Sequence, residues 1–178
     1  IGFNAGHQWD VDNLDPVGVS QALIQGRKIA QAYRNALAEF LPEAFGNAFV
    51  VNTASLLGVR EGRRIIGDYI LSLEDYLQRQ LFADEICRNH YPVDIHTAKH
   101  EVADEKAGKF SVMSRYEHYT KGESHGIPYR CLCPKDVRNV LVAGRSISCE
   151  RAVQSSIRIM LVCLGMGEAA GLAAALAT

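Results

Sequence analysis

Residues 139–177 constrain this chain more than any other stretch. Asn139-Val140-Leu141-Val142-Ala143-Gly144-Arg145 is a short apolar run without alternation, and a polar loop then leads into a long stretch of small residues. A strand covered on both faces reads this way, because no position along it meets water. From about Ala152 to Ala177 the sequence predicts one helix, with Cys163, Gly167, Gly171, Ala174 and Thr178 on one line at spacings of three and four. So small a line lets a neighbouring backbone or a flat ligand approach closely, and it predicts that a bulky residue at Gly171 overpacks. The pair reads as a buried parallel strand feeding a helix N-terminus, the arrangement by which α/β proteins present N–H groups to a ligand. A purely structural strand-loop-helix unit has the same pattern.

The rest of the chain predicts a mixed α/β fold: an antiparallel sheet with helices, joined at its end to that parallel strand and helix. Asp15 is an N-cap candidate with Pro16 at the first helical position. Val19, Ala22, Leu23, Gly26, Ile29, Ala30, Tyr33, Leu37 and Phe40 then mark the apolar face of an amphipathic helix over 16–41, which Pro42 ends. Ala48 to Ala54 and Ile65 to Leu71 read as strands, Asp75 to Leu81 as a short helix and Ala83 to Arg88 as another. Tyr91 to His96 reads as extended, Asp104 to Gly108 as a polar turn and Phe110 to Tyr119 as a strand.

Composition excludes several classes. Nineteen basic against twenty acidic side chains give a formal charge of −1, so no general field collects nucleic acid or an anionic membrane. Arg158 and Glu168 interrupt the last apolar run before it reaches the ~20 residues that span a bilayer. Five cysteines in unpaired spacing suit reduced thiols, and with them a cytoplasmic protein. Cys131 and Cys133, read on one strand face, stand about 6.5–7 Å apart, long for a disulfide. Cys87, Cys149 and Cys163 are too scattered for an iron–sulfur cluster. His96 and His100 have no third ligand nearby, so no metal site is expected.

Three motifs carry a resemblance. The first joins Ile127-Pro128-Tyr129-Arg130-Cys131-Leu132-Cys133-Pro134-Lys135, the 139–145 run, Gln154-Ser155-Ser156-Ile157-Arg158-Ile159-Met160 and Gly165-Met166-Gly167-Glu168-Ala169-Ala170-Gly171. Gly58 to Tyr69 is the second, and Tyr91-Pro92-Val93-Asp94-Ile95-His96 the third. In this order they resemble the end of the FAD-dependent oxidoreductase family, whose distant relatives include the flavoprotein subunit of heterodisulfide reductase. The resemblance implies FAD as cofactor. It implies a substrate or cap domain over 1–135, and over 136–178 the closing strand and helix of a Rossmann-like FAD domain. Ala143, Gly144 and Arg145 would pass close to the flavin, and Gln154, Ser155, Ser156, Ile157 and Arg158 would form the helix N-terminus that stabilises its reduced form. The same three polar residues could equally do no more than cap the helix.

A FAD-binding unit also needs a glycine-rich turn for the pyrophosphate, and no G-x-G-x-x-G stands in these residues. The expectation is therefore a C-terminal part of a larger flavoprotein, lacking the N-terminal nucleotide-binding half and inactive alone. On a strand Arg60 and Arg64 would share one face and could hold an anionic or hydroxyl-rich small substrate, or pair with Glu61. Gly62 stands where the resemblance expects a hydroxyl residue. His96, His125, Tyr129 and Arg130 are the candidates for proton transfer on the substrate side. The chemistry implied is hydride transfer between a small polar substrate and flavin. The rival is a non-catalytic binding or assembly module on the same fold piece, while no nucleophile elbow or P-loop supports a hydrolase or transferase. Substrate and oligomeric state are not legible.

Overall fold

The computed structural model describes residues 2–3, 6–95 and 119–177. It forms two compact units, Ile1–Val59 and Arg60–Thr178. The mixed α/β class holds, with five helices and one antiparallel two-stranded sheet among the described residues.

In the first unit, α1 (Pro16–Phe40) starts where the local chemistry dictates. The Asp15 carboxylate accepts from the N–H groups of Val17 and Gly18, both at 3.0 Å, and Pro16 fills the first position, where a missing N–H costs nothing. Pro42 ends α1 and opens the short α2 (Pro42–Phe45). The strand expected over Ala48–Ala54 does not form. Phe49 and Val51 stay exposed there, and without a partner strand an apolar run gains no ladder.

The second unit is built round a clasp. The extended stretch from Ile65 to Leu71 threads between two segments, its N–H groups at Ile65, Asp68 and Leu71 donating to the carbonyls of Ser146, Cys133 and Ser148 at 2.9–3.1 Å. Bridges pair Gly67 with Pro134 and Leu71 with Cys149. Gly67 has to be glycine, since a Cβ would stand 2.8 Å from that of Ser148. Next comes α3 (Leu73–Leu77), earlier than its expected start at Asp75, because Ser72 and Asp75 form a reciprocal capping box.

A helix is expected over Ala83–Arg88, but the chain instead makes strand β1 (Glu85–Asn89), antiparallel to β2 (His125–Pro128). Tertiary pairing overrides local propensity here: the Tyr129 N–H donates to the Asp84 carbonyl at 2.8 Å, and the Asp84 carboxylate grips Arg130. Cys131 and Cys133 are not on a strand face, because Tyr129–Cys131 is a 3₁₀ turn, and all five cysteines are free thiols. The Asp104–Gly108 turn and nearly all of the Phe110–Tyr119 strand lie outside the described residues.

Two corrections fall on residues 139–177. The apolar run over 139–143 makes no strand. Leu141 and Ala143 pack on the core, the Val142 N–H bonds the Leu132 carbonyl, and Gly144–Ser146 is a 3₁₀ turn. The single long helix is two, α4 (Arg151–Ile157) and α5 (Met160–Leu176), bent by 93°. Arg158 turns away to Asp94, and the Cys163 thiol reaches the freed carbonyls of Ile157 and Arg158, so the break leaves those groups satisfied. No single described helix is long and apolar enough to cross a membrane; α4 and α5 pass in length and composition only as that bent pair.

The core gathers Leu71, Tyr76, Ile127, Leu132, Ile147, Val153, Ile157, Val162 and Met166. α5 contributes the Val162–Met166 side. Cys163 packs against the core too, but a Cβ at Gly167 or Gly171 meets nothing within 4 Å, so the overpacking expected at Gly171 does not arise. Met160, Leu161, Leu164, Leu172 and Leu176 are all exposed, which leaves α5 with a long apolar face that no described residue covers.

Candidate flavin and substrate site

Three arrangements position the residues singled out by sequence. The first is the start of α5. Ile159 is its N-cap and gives no side-chain hydrogen bond, so the first N–H groups and the positive end of a helix of 17 residues have no side-chain partner at the cap. The Gly144–Ser146 turn packs beside α5, with Gly144 at φ +80° and nothing within 4 Å of its Cβ position. Arg145 lies close enough to the Cys163 thiol to favour its anion, although burial dominates and pushes that thiol up. Gly144 and Arg145 thus lie in a turn beside α5, with Arg145 near its first turn.

That N-terminus is not the one expected. Gln154, Ser155, Ser156 and Ile157 are buried inside the seven-residue α4, and both serine hydroxyls and the Gln154 amide nitrogen are engaged with the chain. The Ser155 hydroxyl donates to the Ala152 carbonyl and accepts from the Asp94 N–H at 3.0 Å. Ser156 donates to the Tyr91 carbonyl and accepts from Asn89 Nδ2 at 2.7 Å. Gln154 Nε2 donates to the Arg60 carbonyl at 3.0 Å, while its buried Oε1 has no partner. These residues lock the third motif and the Arg60 backbone onto α4, which is a positioning task.

The second arrangement is ionic. Arg60 and Arg158, from two different motifs, meet on Asp94 of the third. Arg158 donates to the Asp94 carbonyl at 2.8 Å and lies 3.6 Å from its carboxylate, and Arg60 lies 3.9 Å from the same carboxylate. Burial holds the Arg158 guanidinium below its usual range, the nearby Arg60 adds to this, and Asp94 opposes both. Glu61 pairs with Arg151 at 3.3 Å. The shared face expected for Arg60 and Arg64 requires a strand, and residues 58–66 form none; Arg64 sits near the buried Cys149 instead.

The third is aromatic. His125 is fully buried, its Nδ1 hydrogen-bonded to the Tyr119 hydroxyl and its ring against Tyr76. Desolvation brings it down to about 4, with Arg88 and Arg79 adding to the shift. Its ring is closed off from solvent, and its Nε2 has no hydrogen-bond partner among the described residues. Tyr129 is partly exposed with burial raising its hydroxyl. Arg130 holds Asp84 at 2.9 Å, which keeps that carboxyl below its usual range, and stacks over Tyr69 at 4.9 Å. His96 lies outside the described residues.

Asp94 and Asn89 hold contacts here that sequence reasoning passed over. Asp94 stood inside a quoted motif, but nothing local marks it as the meeting point of two arginines.

These residues suit one end of a dinucleotide. A helix N-terminus without a side-chain cap, an open Gly144 and the apolar Met160 and Leu161 can receive a flat ring that carries negative charge at one edge. For its pyrophosphate there is no glycine-rich turn. No curated protein and no solved structure matches the chain. A family model described as FAD dependent oxidoreductase matches residues 2–178, nearly the whole length. The chain thus belongs to the FAD dependent oxidoreductase family and its cofactor is FAD.

Proposed function

We propose that this chain is the substrate-side and closing part of a flavin oxidoreductase that moves a hydride between a small polar substrate and FAD. In this reading residues 1–135 serve the substrate, 136–178 close the FAD domain, and a further polypeptide with a glycine-rich turn completes the site. One observation carries it: the 17-residue α5 offers an N-terminus without a side-chain cap beside the Gly144 turn and a long apolar face that no described residue covers. When bound, FAD supplies two-electron redox chemistry. The chain's own residues bind and orient. The α5 N–H groups favour negative charge on the reduced ring, and Arg60 holds an anionic or hydroxyl-rich group of the substrate.

Tyr129, Arg130 and His96 are proposed on the substrate side, with Arg130 committed in part to Asp84. The kinship with heterodisulfide reductase flavoproteins rests on motif order alone. A binding or assembly module without cofactor is the rival, favoured by the engagement of Gln154, Ser155 and Ser156 with the chain itself.

The two separate by anaerobic reduction of the flavin-loaded protein, followed by bleaching of its absorbance against a panel of small polar donors. The proposed function predicts bleaching by at least one donor, and in Arg60→Ala a higher donor concentration for half-bleaching with flavin content unchanged. A protein that holds flavin but is bleached by no donor, or whose donor dependence ignores Arg60, would leave the module as the better reading.

A further inference from the structure

Three family motifs converge on one carboxylate, and its two arginine partners are held very differently. Arg158 is the fixed member: its side chain is 11 % exposed and donates to the Asp94 backbone at 2.8 Å. Arg60 is the loose one, 39 % exposed and 3.9 Å from the carboxylate, beyond hydrogen-bond length. Arg60, Arg151 and Arg158 face the carboxylates of Asp94 and Glu61, three positive groups against two negative, so the cluster has a surplus of one positive charge. The backbone beneath is rigid on both sides: Ser155 holds the Asp94 N–H and Gln154 holds the Arg60 carbonyl.

An exposed ion pair of this kind contributes little, whereas a bidentate guanidinium–oxyanion pair is shorter and stronger. Arg60 can therefore leave Asp94 at little cost when a better oxyanion arrives. Asp94 then still neutralises Arg158, whose burial makes an unmatched charge costly. We propose that Asp94 is a built-in counter-ion that occupies Arg60 until a carboxylate or phosphate group of the substrate displaces it. This rests on the substrate role of Arg60 proposed above, and it replaces an Arg60–Arg64 pair by an Arg60 site tuned by Asp94 and Arg158.

The test is a titration of the 178-residue chain at low ionic strength with inorganic phosphate and, separately, acetate, read on the NMR resonances of the arginine side chains. Arg60 should show a saturable shift with at least one of the two. The tighter anion identifies the chemistry, acetate for a carboxylate substrate and phosphate for a phosphoryl one. Arg60→Gln should abolish saturation. Asp94→Asn, which keeps the shape and removes the competing charge, should tighten binding by about three- to tenfold. Asp94→Ser should act in the same direction, so the result does not hang on one variant. No saturable shift with either anion, unchanged binding in Arg60→Gln, or equal or weaker binding in both Asp94 variants overturns the proposal. The titration contains no flavin. A silent titration beside a completed complex that takes up flavin retires only this inference, and a clear titration beside a completed complex that takes up none retires only the flavin reading.

Discussion

Tyr76→Ala should destabilise the second unit by about 3–5 kcal/mol, the range for an aromatic side chain removed from a closed core. Tyr76 is fully buried, packs at a tilt against the rings of Tyr119 at 4.8 Å and His125 at 5.5 Å, and lies under Arg79 at 5.6 Å. Its hydroxyl also accepts from the Val93 N–H at 3.4 Å, one residue before Asp94. One side chain thus ties α3, β2 and the segment that carries the ionic site. Tyr76→Phe keeps the packing and gives up the hydroxyl with its bond to Val93, so it should cost less, about 0.5–1.5 kcal/mol. Urea denaturation of both variants separates the terms. A loss below about 1 kcal/mol in Tyr76→Ala would mean that this core is not the one that holds the unit together.

Acidification should weaken the fold through His125. Its folded value, about 4, lies below the ordinary 6.5 of an unfolded histidine, so between those values the unfolded chain binds more protons. Stability from this group is complete above pH 6.5 and drains away as pH falls toward 4, by roughly 3 kcal/mol over the window. Arg79 and Arg88 sharpen the penalty, and Asp75 eases it. Denaturation midpoints followed from pH 7 to pH 4 should fall steeply in the natural chain and less in His125→Gln. Parallel slopes would show that other groups govern the acid limb.

What the sequence made legible was local, and what it hid was pairing. Asp15-Pro16 and Pro42 bound α1 because each acts on its own backbone. The Ser72–Asp75 capping box is just as local, yet the sequence reading starts α3 at Asp75 and misses it. By contrast β1 depends on β2, far along the chain, and no window over 83–89 contains that partner. The break between α4 and α5 has neither proline nor glycine at Arg158-Ile159; it follows from the reach of Arg158 to Asp94. The run over 139–143 reads as a buried strand because apolarity records that something covers it, not that a ladder is present. The site divides the same way. Arg60, Arg158 and the Gly144 turn were visible one by one as residue types suited to anions and close approach. That the two arginines share Asp94, and that the helix with the free N-terminus begins at Met160, are facts of folding.

Flavin uptake by the chain alone tests the central claim most directly. Purified chain is incubated with excess FAD, desalted and scanned for bound flavin, and the same is done after co-expression with a polypeptide that supplies a strand, a glycine-rich turn and a helix. The account predicts no stoichiometric flavin in the first sample and a yellow complex in the second. A full equivalent of FAD retained by the chain alone would contradict it, because these residues would then hold the pyrophosphate without a glycine-rich turn.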